Sequence, residues 1–369
     1  MSENILQYRI AISLIPGIGS INAKKLIAYI GSVEGVFKEK KTSLLKIPGV
    51  GEVLANEIIN SNVLSKAQEE VEFLSKYKIK TYFYLDDDYP GRLKHCEDCP
   101  ILLYSKGSAD FNNQKVVSIV GTRNATEYGK LFTEKLLAKM AESRHNPLIV
   151  SGLAFGIDIC AHKAAMRNNL DTIAVLAHGL KSVYPSVHTK YAKEIVQHGA
   201  LLTEFTSDIK ADRSFFVRRN RIVAGLADAT IVVESGEKGG ALITADLANS
   251  YNRDVFAVPG RIDDVMSKGC NKLIKTNKAL LLENIDDLEY IMGWEKQEGK
   301  PKNIQRELFV NVTDDEKLIL DILSKNGELP IDSICFEVEM PVSKVSPLLL
   351  NLEFAGLIKG LPGKVYKLV

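Results

Sequence analysis

The central part of the chain alternates short apolar runs with segments of helical periodicity. Seven runs have the length and composition of buried strands: KVVSIV (115–120), LIVSG (148–152), TIAVLA (172–177), ALLTEF (200–205), ATIVVE (229–234), DVFAVPG (254–260) and ALLLEN (279–284). Segments such as LFTEKLLAKMAES and ITADLANSYN lie between most of them. This alternation predicts an α/β fold with a Rossmann-like, doubly wound and mostly parallel sheet, which binds ligands at the carboxyl ends of its strands.

A helical region precedes the α/β region and contains an internal repeat. The phrases LIPGIGSINAKKLIAYIGS and LKIPGVGEVLANEII place Pro16 and Pro48 32 residues apart, and each has Gly-apolar-Gly before a helix. This pattern is typical of a helix-hairpin-helix (SAM-like) domain, whose backbone N–H groups approach DNA phosphates. Lys24 and Lys25 supply positive charge only in the first copy. A protein-contact module is therefore at least as good an interpretation as DNA binding.

The end of the chain predicts a separate winged-helix module. EKQEGKPKNIQRE has the composition of a linker, and three helical segments and a hairpin with Pro362 and Gly363 at its turn follow it. From residue 301 onward there are eight basic residues against ten acidic ones, which disfavours duplex DNA binding and favours protein contact. We expect a helical domain at 1–78, the α/β domain at 79–293, a linker at 294–312 and the winged helix at 313–369.

Charge and cysteine usage narrow the class of protein. The 369 residues include 47 basic and 46 acidic ones, so any nucleic-acid site must be a local patch. Long apolar runs and a secretory signal are lacking, so we expect a cytoplasmic protein without a membrane partner. Five cysteines are scattered, and the CxxC of Cys96 and Cys99 has no second pair to complete a metal site. We expect free thiols, no metal and no cofactor.

The most basic segment of the chain is DRSFFVRRNRIVAG, residues 212–225. It groups four arginines around Phe215 and Phe216: Arg213, Arg218, Arg219 and Arg221. Guanidinium groups bind phosphates and phenyl rings stack on unpaired bases, so the composition suits single-stranded nucleic acid. A helix with a basic face and two buried phenylalanines is an equally good interpretation of this segment alone.

Several loops after the predicted strands could bind an anion. The first strand leads into VGTRNATEYG, which lacks the GxGxxG of dinucleotide-binding proteins but offers Thr122 and Arg123. Ser151 and Gly152 follow the second strand, and Gly240 precedes a helix. Asp158 and His162 share a helix face, for which a structural hydrogen-bonded pair is a better interpretation than a catalytic or metal site.

The order of phrases across residues 80–283 resembles that of the DNA processing protein A (DprA/Smf) family. These phrases are YPGRL, PILLYSKG, SIVGTR, VSGLAFGID followed by AH, TIAVLAHGL then YP, RRNRIVAGLADATIVVES, GGALITA, FAVPG and KGCNKLI. The resemblance implies a protein without enzymatic activity that binds single-stranded DNA, forms a homodimer through its Rossmann-like domain and loads RecA recombinase during natural transformation. It also implies a set of DNA-binding residues, namely Thr122, Arg123, Ser151, Gly152, Arg213, Phe216, Arg219, Arg221 and Gly240.

An alternative function is nucleotide hydrolysis or nucleotide binding. Related Rossmann-like proteins of the LOG type are nucleotide phosphoribohydrolases with a Gly-Gly-x-Gly-Thr loop and a catalytic Glu, which Glu234 and the phrase GGALIT resemble superficially. The spacing differs and the third glycine is missing, so the binding function is preferred.

Overall fold

The computed structural model describes residues 3–60, 62–143, 145–294 and 312–369. The helices are α1 (Glu3–Leu14), α2 (Ser20–Ile30), α3 (Val33–Lys38), α4 (Lys41–Leu44), α5 (Glu52–Asn60), α6 (Val63–Tyr77), α7 (Gly91–Lys94), α8 (Glu127–Glu142), α9 (Ile157–Arg167), α10 (Thr189–Ile195), α11 (Arg213–Leu226), α12 (Gly240–Ser250), α13 (Lys268–Lys275), α14 (Ile285–Ile291), α15 (Asp314–Asn326), α16 (Ile331–Glu337) and α17 (Val342–Phe354). Within these ranges, none of the helices is both long and apolar enough to cross a membrane.

The strands form one large sheet and one small one. They are β1 (Lys80–Phe83), β2 (Leu102–Gly107), β3 (Val116–Val120), β4 (Leu148–Ser151), β5 (Thr172–Val175), β6 (Gly199–Thr203), β7 (Ala229–Val232), β8 (Asp254–Ala257), β9 (Leu280–Leu281), β10 (Glu328–Pro330), β11 (Ile358–Leu361) and β12 (Val365–Leu368). The large sheet has the order β1-β2-β6-β5-β4-β3-β7-β8-β9. Its strands β3 to β9 are parallel and correspond to the seven predicted runs, which confirms the predicted α/β fold.

The order of the strands determines where a ligand can bind. The chain adds β4, β5 and β6 to one side of β3 and then returns to add β7, β8 and β9 to the other side. The winding therefore reverses at β3, and the crevice at the carboxyl ends of β3 and its neighbours is the expected ligand site of such a sheet. Strands β1 and β2 extend the sheet beyond β6 in antiparallel fashion, which the apolar runs alone did not predict.

The helical region contains the repeat that the two proline-glycine phrases predicted. Gly17 and Gly49 both have positive φ angles, +77° and +89°, which a side chain would disfavour. Equivalent backbone bonds follow, since the amide of Ala23 donates to Gly19 and that of Ala55 donates to Gly51, each at 3.0 Å. Lys24 is half-buried, and its ammonium donates to the Glu97 carbonyl at 2.8 Å.

The core of the helical region continues into the first two strands. Its buried residues pack with Phe83 of β1 and with Leu102 and Tyr104 of β2. The Arg9 guanidinium donates to both carboxylate oxygens of Asp86, at 2.6 and 2.8 Å, and lies 4.2 Å from the centre of the Phe83 ring. The helical region and the sheet therefore share apolar packing at the edge formed by β1.

The C-terminal module has the three helices and the hairpin of a winged helix, with β10 as a third strand. Thr313 and Glu316 form the predicted capping box at the start of α15. Pro362 and Gly363 lie in the turn between β11 and β12, where the Pro362 carbonyl accepts a 2.8 Å hydrogen bond from Arg253 of the α/β region. Apart from Trp294 and Val312, the predicted linker lies outside the described residues.

Trp294 attaches the last helix of the α/β region to its core. Only 8% of the residue is exposed, the Lys115 ammonium lies 5.1 Å from the ring centre, and the His145 imidazole lies 5.5 Å away. His145 is placed between Lys115 and Glu289, at 2.7 and 2.6 Å. The tryptophan therefore covers a chain of polar contacts between β3 and α14.

Replacing Trp294 by Ala should lower the free energy of unfolding by about 3–5 kcal/mol, because it leaves a cavity and uncovers these contacts. Urea unfolding followed by far-ultraviolet circular dichroism measures the loss without relying on tryptophan fluorescence. Tyr290→Ala is the matched control, since Tyr290 is an aromatic residue of the adjoining helix α14 but is 76% exposed. Equal midpoints for the two variants would show that Trp294 contributes no such packing.

Candidate nucleic-acid interface

The loop after β3 brings Arg123 to the carboxyl edge of the sheet. Gly121 allows this turn, because a Cβ there would overlap Ile157 of α9 and approach the Glu234 carbonyl. The Thr122 amide donates to that same carbonyl at 2.7 Å, which fixes the loop against the end of β7. Arg123 is the first exposed residue after the turn. The loop thus presents a guanidinium at the point where the winding of the sheet reverses.

Helix α11 brings its first turn to the same place. Asp212 caps the helix by accepting a 2.8 Å hydrogen bond from the Ser214 amide. The half-buried Phe216 ring lies beneath the Arg123 guanidinium, 5.1 Å from its central carbon. Arg213 is exposed and three residues before Phe216, so both lie on one face of the helix. Arg123 and Phe216 are therefore in contact, and Arg213 lies one turn before Phe216 on the same face of α11.

Tyr184 completes this cluster and was not predicted as a site residue. Its ring is 49% exposed and lies 5.7 Å from the Phe216 ring in an edge-to-face arrangement. Buried His178 fixes the loop, because its Nε2 accepts a hydrogen bond from the Tyr184 amide at 3.1 Å and its Nδ1 donates to the Gly179 carbonyl at 2.8 Å. The phrase AHGLKSVYPSVH (177–188), which forms this loop, does not by itself indicate which of its residues faces the helix. We call Arg123, Tyr184, Arg213 and Phe216 the aromatic-arginine patch.

The patch has positive charge that carboxylates do not neutralise. Within residues 3–60, 62–143, 145–294 and 312–369, neither Arg123 nor Arg213 is within ion-pair distance of an acidic side chain. Both side chains are exposed and can reach a ligand without desolvating a buried partner. Two cations beside two aromatic rings can bind a phosphate chain and stack on bases at once.

Arg219 lies beneath the patch and is not part of its surface. The residue is 5% exposed, and its guanidinium donates to the Val175 carbonyl at the end of β5, at 2.6 Å. Burial lowers its pKa, and the negative charge of Asp158 opposes that effect. Burial in turn raises the pKa of Asp158, and Arg219 opposes it. The predicted phosphate contact from Arg219 has to be corrected, because the guanidinium is occupied inside the protein.

Ser151 and Gly152 are both turned into the protein, and Gly152 lies next to Arg219. The Ser151 hydroxyl is buried and donates to the Ile119 carbonyl at 2.6 Å. A Cβ on Gly152 would overlap the Arg219 guanidinium, so the glycine makes room for that side chain. We predicted a loop that a DNA phosphate could approach closely. The close approach exists, but the group that approaches is a protein guanidinium.

Arg221 lies on a different side of α11 and is ion-paired. Its guanidinium is 2.5 Å from Glu204, whose carboxylate also accepts from Arg218 at 2.6 Å. The side chains of Arg221 and Glu204 are only 11% and 2% exposed. Phe215 packs on this side too, 4.6 Å from the Phe205 ring. The predicted DNA contact of Arg221 is therefore corrected to an internal ion pair. Within the basic segment, Arg213 and Phe216 belong to the patch, whereas Arg219 and Arg221 are bonded inside the protein.

Thr122 and Gly240 remain near the surface. The Thr122 hydroxyl is half-buried and accepts a 3.2 Å hydrogen bond from the Asn124 amide. Gly240 begins α12 after the N-cap Gly239, is exposed and faces open space in the described structure. Both positions leave room for a ligand, but within the described residues neither contacts the aromatic-arginine patch.

Glu234 caps a helix and does not face a cavity. It is 1% exposed, and its carboxylate accepts hydrogen bonds from the amide and the hydroxyl of Thr126 at the start of α8. His162 is fully buried and bonded to the Thr172 hydroxyl at 2.7 Å, and burial lowers its pKa to about 3. Asp158 accepts from the Ala154 amide at 3.4 Å. Both side chains are thus structural, but the predicted pair is corrected, because each is bonded to a different partner and the two do not bond to each other within the described residues.

The cysteines are free, and most of them are buried. Cys96, Cys99, Cys160 and Cys270 are all buried, and Cys335 is partly exposed. Burial raises the pKa of Cys96 to about 12, so its thiol stays protonated at neutral pH. In the described ranges, His, Cys, Asp and Glu side chains do not gather into a group of three that could bind a metal.

Comparison with known proteins gives consistent matches along the chain. A family model described as DNA recombination-mediator protein A matches residues 80–292, and one described as the DprA winged helix domain matches residues 308–364. Protein Smf of Synechocystis is 32% identical over the whole of both chains.

Two solved structures with related sequences also match. The X-ray structure of DNA processing protein A from Streptococcus pneumoniae is 33% identical and has a TM-score of 0.63, covering 78% of this chain and 97% of that one. The Helicobacter pylori structure, described for its single-stranded DNA binding mode, is 30% identical with a TM-score of 0.53, covering 60% of this chain and 98% of that one. By sequence, domain content and fold, the chain belongs to the DNA recombination-mediator protein A (DprA/Smf) family.

Proposed function

We propose that the chain is a single-stranded DNA-binding recombination mediator that acts through the aromatic-arginine patch. The observation that carries this proposal is the contact of Arg123 with Phe216 beside the exposed Tyr184, with both Arg123 and Arg213 outside ion-pair distance of the described acidic side chains. Accessible rings give faces on which unpaired bases stack, and a duplex keeps its bases inside. Such a patch therefore favours single strands.

Membership of the family supports the parts of the proposal that go beyond DNA binding. Its description is that of a recombination mediator, and the Helicobacter pylori relative is described by its single-stranded DNA binding mode. On this basis we include protection of incoming DNA and loading of RecA during DNA-mediated transformation, a homodimer formed through the α/β region, and a cytoplasmic place of action. These parts rest on family membership and not on a contact within this chain.

Binding without chemical turnover is the preferred form of the proposal. A phosphoribohydrolase of the LOG type needs a carboxylate that reaches the substrate, whereas the Glu234 carboxylate is buried and occupied by two donors from Thr126. Duplex binding through the winged helix is disfavoured because residues 301–369 carry more acidic than basic side chains.

A labelled oligothymidine should bind more tightly than a blunt duplex, with affinity that falls as salt rises. Arg123→Ala and Arg213→Ala should each weaken binding and reduce the log–log salt slope by about 0.7, the value for one lost phosphate contact on a single strand. Phe216→Ala should cost about 1–3 kcal/mol of binding free energy while leaving the slope nearly unchanged. Fluorescence anisotropy across a salt series measures all three effects.

Two control variants separate binding from folding in that experiment. Phe215→Ala removes the neighbouring ring, which packs on Phe205 and away from the patch, so it should lower thermal stability but not affinity per folded molecule. Lys66→Ala removes an exposed charge on α6. Equal affinity for duplex and single strand, or a Phe216→Ala protein that is destabilised but binds normally, would contradict the proposed site.

Arg219 should behave as a structural residue although it lies in the basic segment. Arg219→Met should lower the free energy of unfolding by about 3–5 kcal/mol, because Asp158 would lose the charge that compensates its burial. The salt slope of DNA binding by the folded protein should not change. Chemical denaturation and anisotropy on the same sample test this, and normal stability with a reduced slope would show that Arg219 binds phosphate after all.

Nucleoside monophosphates should not be hydrolysed by the purified protein. Incubation with AMP and chromatographic detection of free adenine checks this, because the Glu234 carboxylate is committed to the cap of α8. Release of adenine by the natural chain, lost in Glu234→Gln while that variant remains folded, would replace the binding function by an enzymatic one.

A further inference from the structure

A second row of rings and cations begins next to the aromatic-arginine patch. Gly156 packs so closely on the backbone of Thr122 and Arg123 that a Cβ would overlap their carbonyl oxygens. Its neighbour Phe155 is 46% exposed, and the backbone that carries this ring lies against the backbone of Arg123. The loop of Tyr184 continues through the short 3-10 helix Ser186–His188 into α10. The chain therefore enters α9 next to the Arg123 loop, and it enters α10 after the loop of Tyr184.

The rings in this second row are in mutual contact. The Phe155 ring lies 5.0 Å from the His188 ring, and the His188 ring lies 6.3 Å from that of Tyr191. His188 is buried and its Nδ1 is 2.8 Å from the Leu153 carbonyl, so it serves as a fixed spacer. Phe155 and Tyr191 remain accessible on either side of it. Spaced rings on a rigid support can stack on successive bases.

Cations accompany these rings. The Lys163 ammonium lies 5.4 Å from the centre of the Tyr191 ring, and in the described part of the chain it makes no ion pair with a carboxylate. Lys190 is 80% exposed and only 3.9 Å from Glu194, an exposed pair that opens at little cost. Lys163, Lys190 and Tyr191 line one open depression between α9 and α10. Its charge is modest, so we expect about one phosphate contact here.

We propose that Phe155, Lys163, Lys190 and Tyr191 form a distal arm of the interface, which binds the part of a single strand that extends past the aromatic-arginine patch. This inference rests on the proposed function, because it continues the same strand over an adjoining surface. The arm adds stacking and one phosphate contact for a strand long enough to reach it. A strand of about four nucleotides seated on the patch reaches at most the near end of the arm at Phe155 and leaves Lys163 and Tyr191 unoccupied.

The test compares two oligothymidines, one of about four and one of about twenty nucleotides, which bracket the roughly 4–16 nucleotides that a single binding site covers. Tyr191→Ala should weaken binding of the longer strand by about fivefold or more, and Lys163→Ala should lower its salt slope by about 0.7. Binding of the shorter strand should change by less than about twofold. Tyr191→Phe should retain the affinity of the natural chain for both lengths, which separates stacking from loss of folding.

Lys193→Ala is the matched control, since Lys193 is exposed on α10 but two residues from Tyr191 and so on another face. If the distal variants bind the longer strand normally while Arg123→Ala and Phe216→Ala weaken both lengths, the arm is refuted and the proposed function stands. If the distal variants weaken both lengths equally, the arm does not lie distal to the patch. If the patch variants weaken neither length, the proposed function itself fails.

Discussion

The buried guanidinium of Arg219 holds helix α11 against the carboxyl ends of the parallel strands. It donates to the Val175 carbonyl at the end of β5, fills the space that Gly152 leaves after β4, and compensates the charge of Asp158 at the start of α9. A charge buried without such partners would be costly. This one interaction fixes the position of α11 along the edge of the sheet, and therefore places Phe216 under Arg123.

The rest of the basic segment follows from helical geometry. Once Arg219 faces the sheet, Arg213 and Phe216 are directed to the outer edge, whereas Arg218 and Arg221 are directed to Glu204. The ion pairs with Glu204 keep the side of α11 near the helical region compact and reduce its positive charge. Of the four arginines in this segment, Arg213 is exposed outside ion-pair distance of a described carboxylate and Arg218 is exposed but paired with Glu204, and Arg123 is added from another loop.

The sequence predicted the parallel sheet and the meeting of Arg123 with Phe216, because both follow from general rules of chain geometry. Alternating apolar and helical segments determine a doubly wound sheet, and such a sheet gathers the loops after its strands at one edge. The roles of Ser151, Arg219 and Arg221 could not be predicted in the same way. Which of four neighbouring arginines is buried depends on the rotation of α11 about its axis, and on acceptors such as Val175 and Glu204 that are distant in sequence. Tyr184 was missed for a related reason, since its loop is held by His178 and not by a regular element.

The central claim is that unpaired bases stack on Phe216 and Tyr184 at the edge of the sheet. Photocrosslinking with an oligonucleotide that contains 5-bromodeoxyuridine, followed by identification of the modified peptides, tests this most directly. The account predicts crosslinks in the peptides that contain Tyr184 and Phe216, and their loss in the presence of excess unlabelled single strand. Crosslinks confined to the helical region or to the winged helix would contradict it.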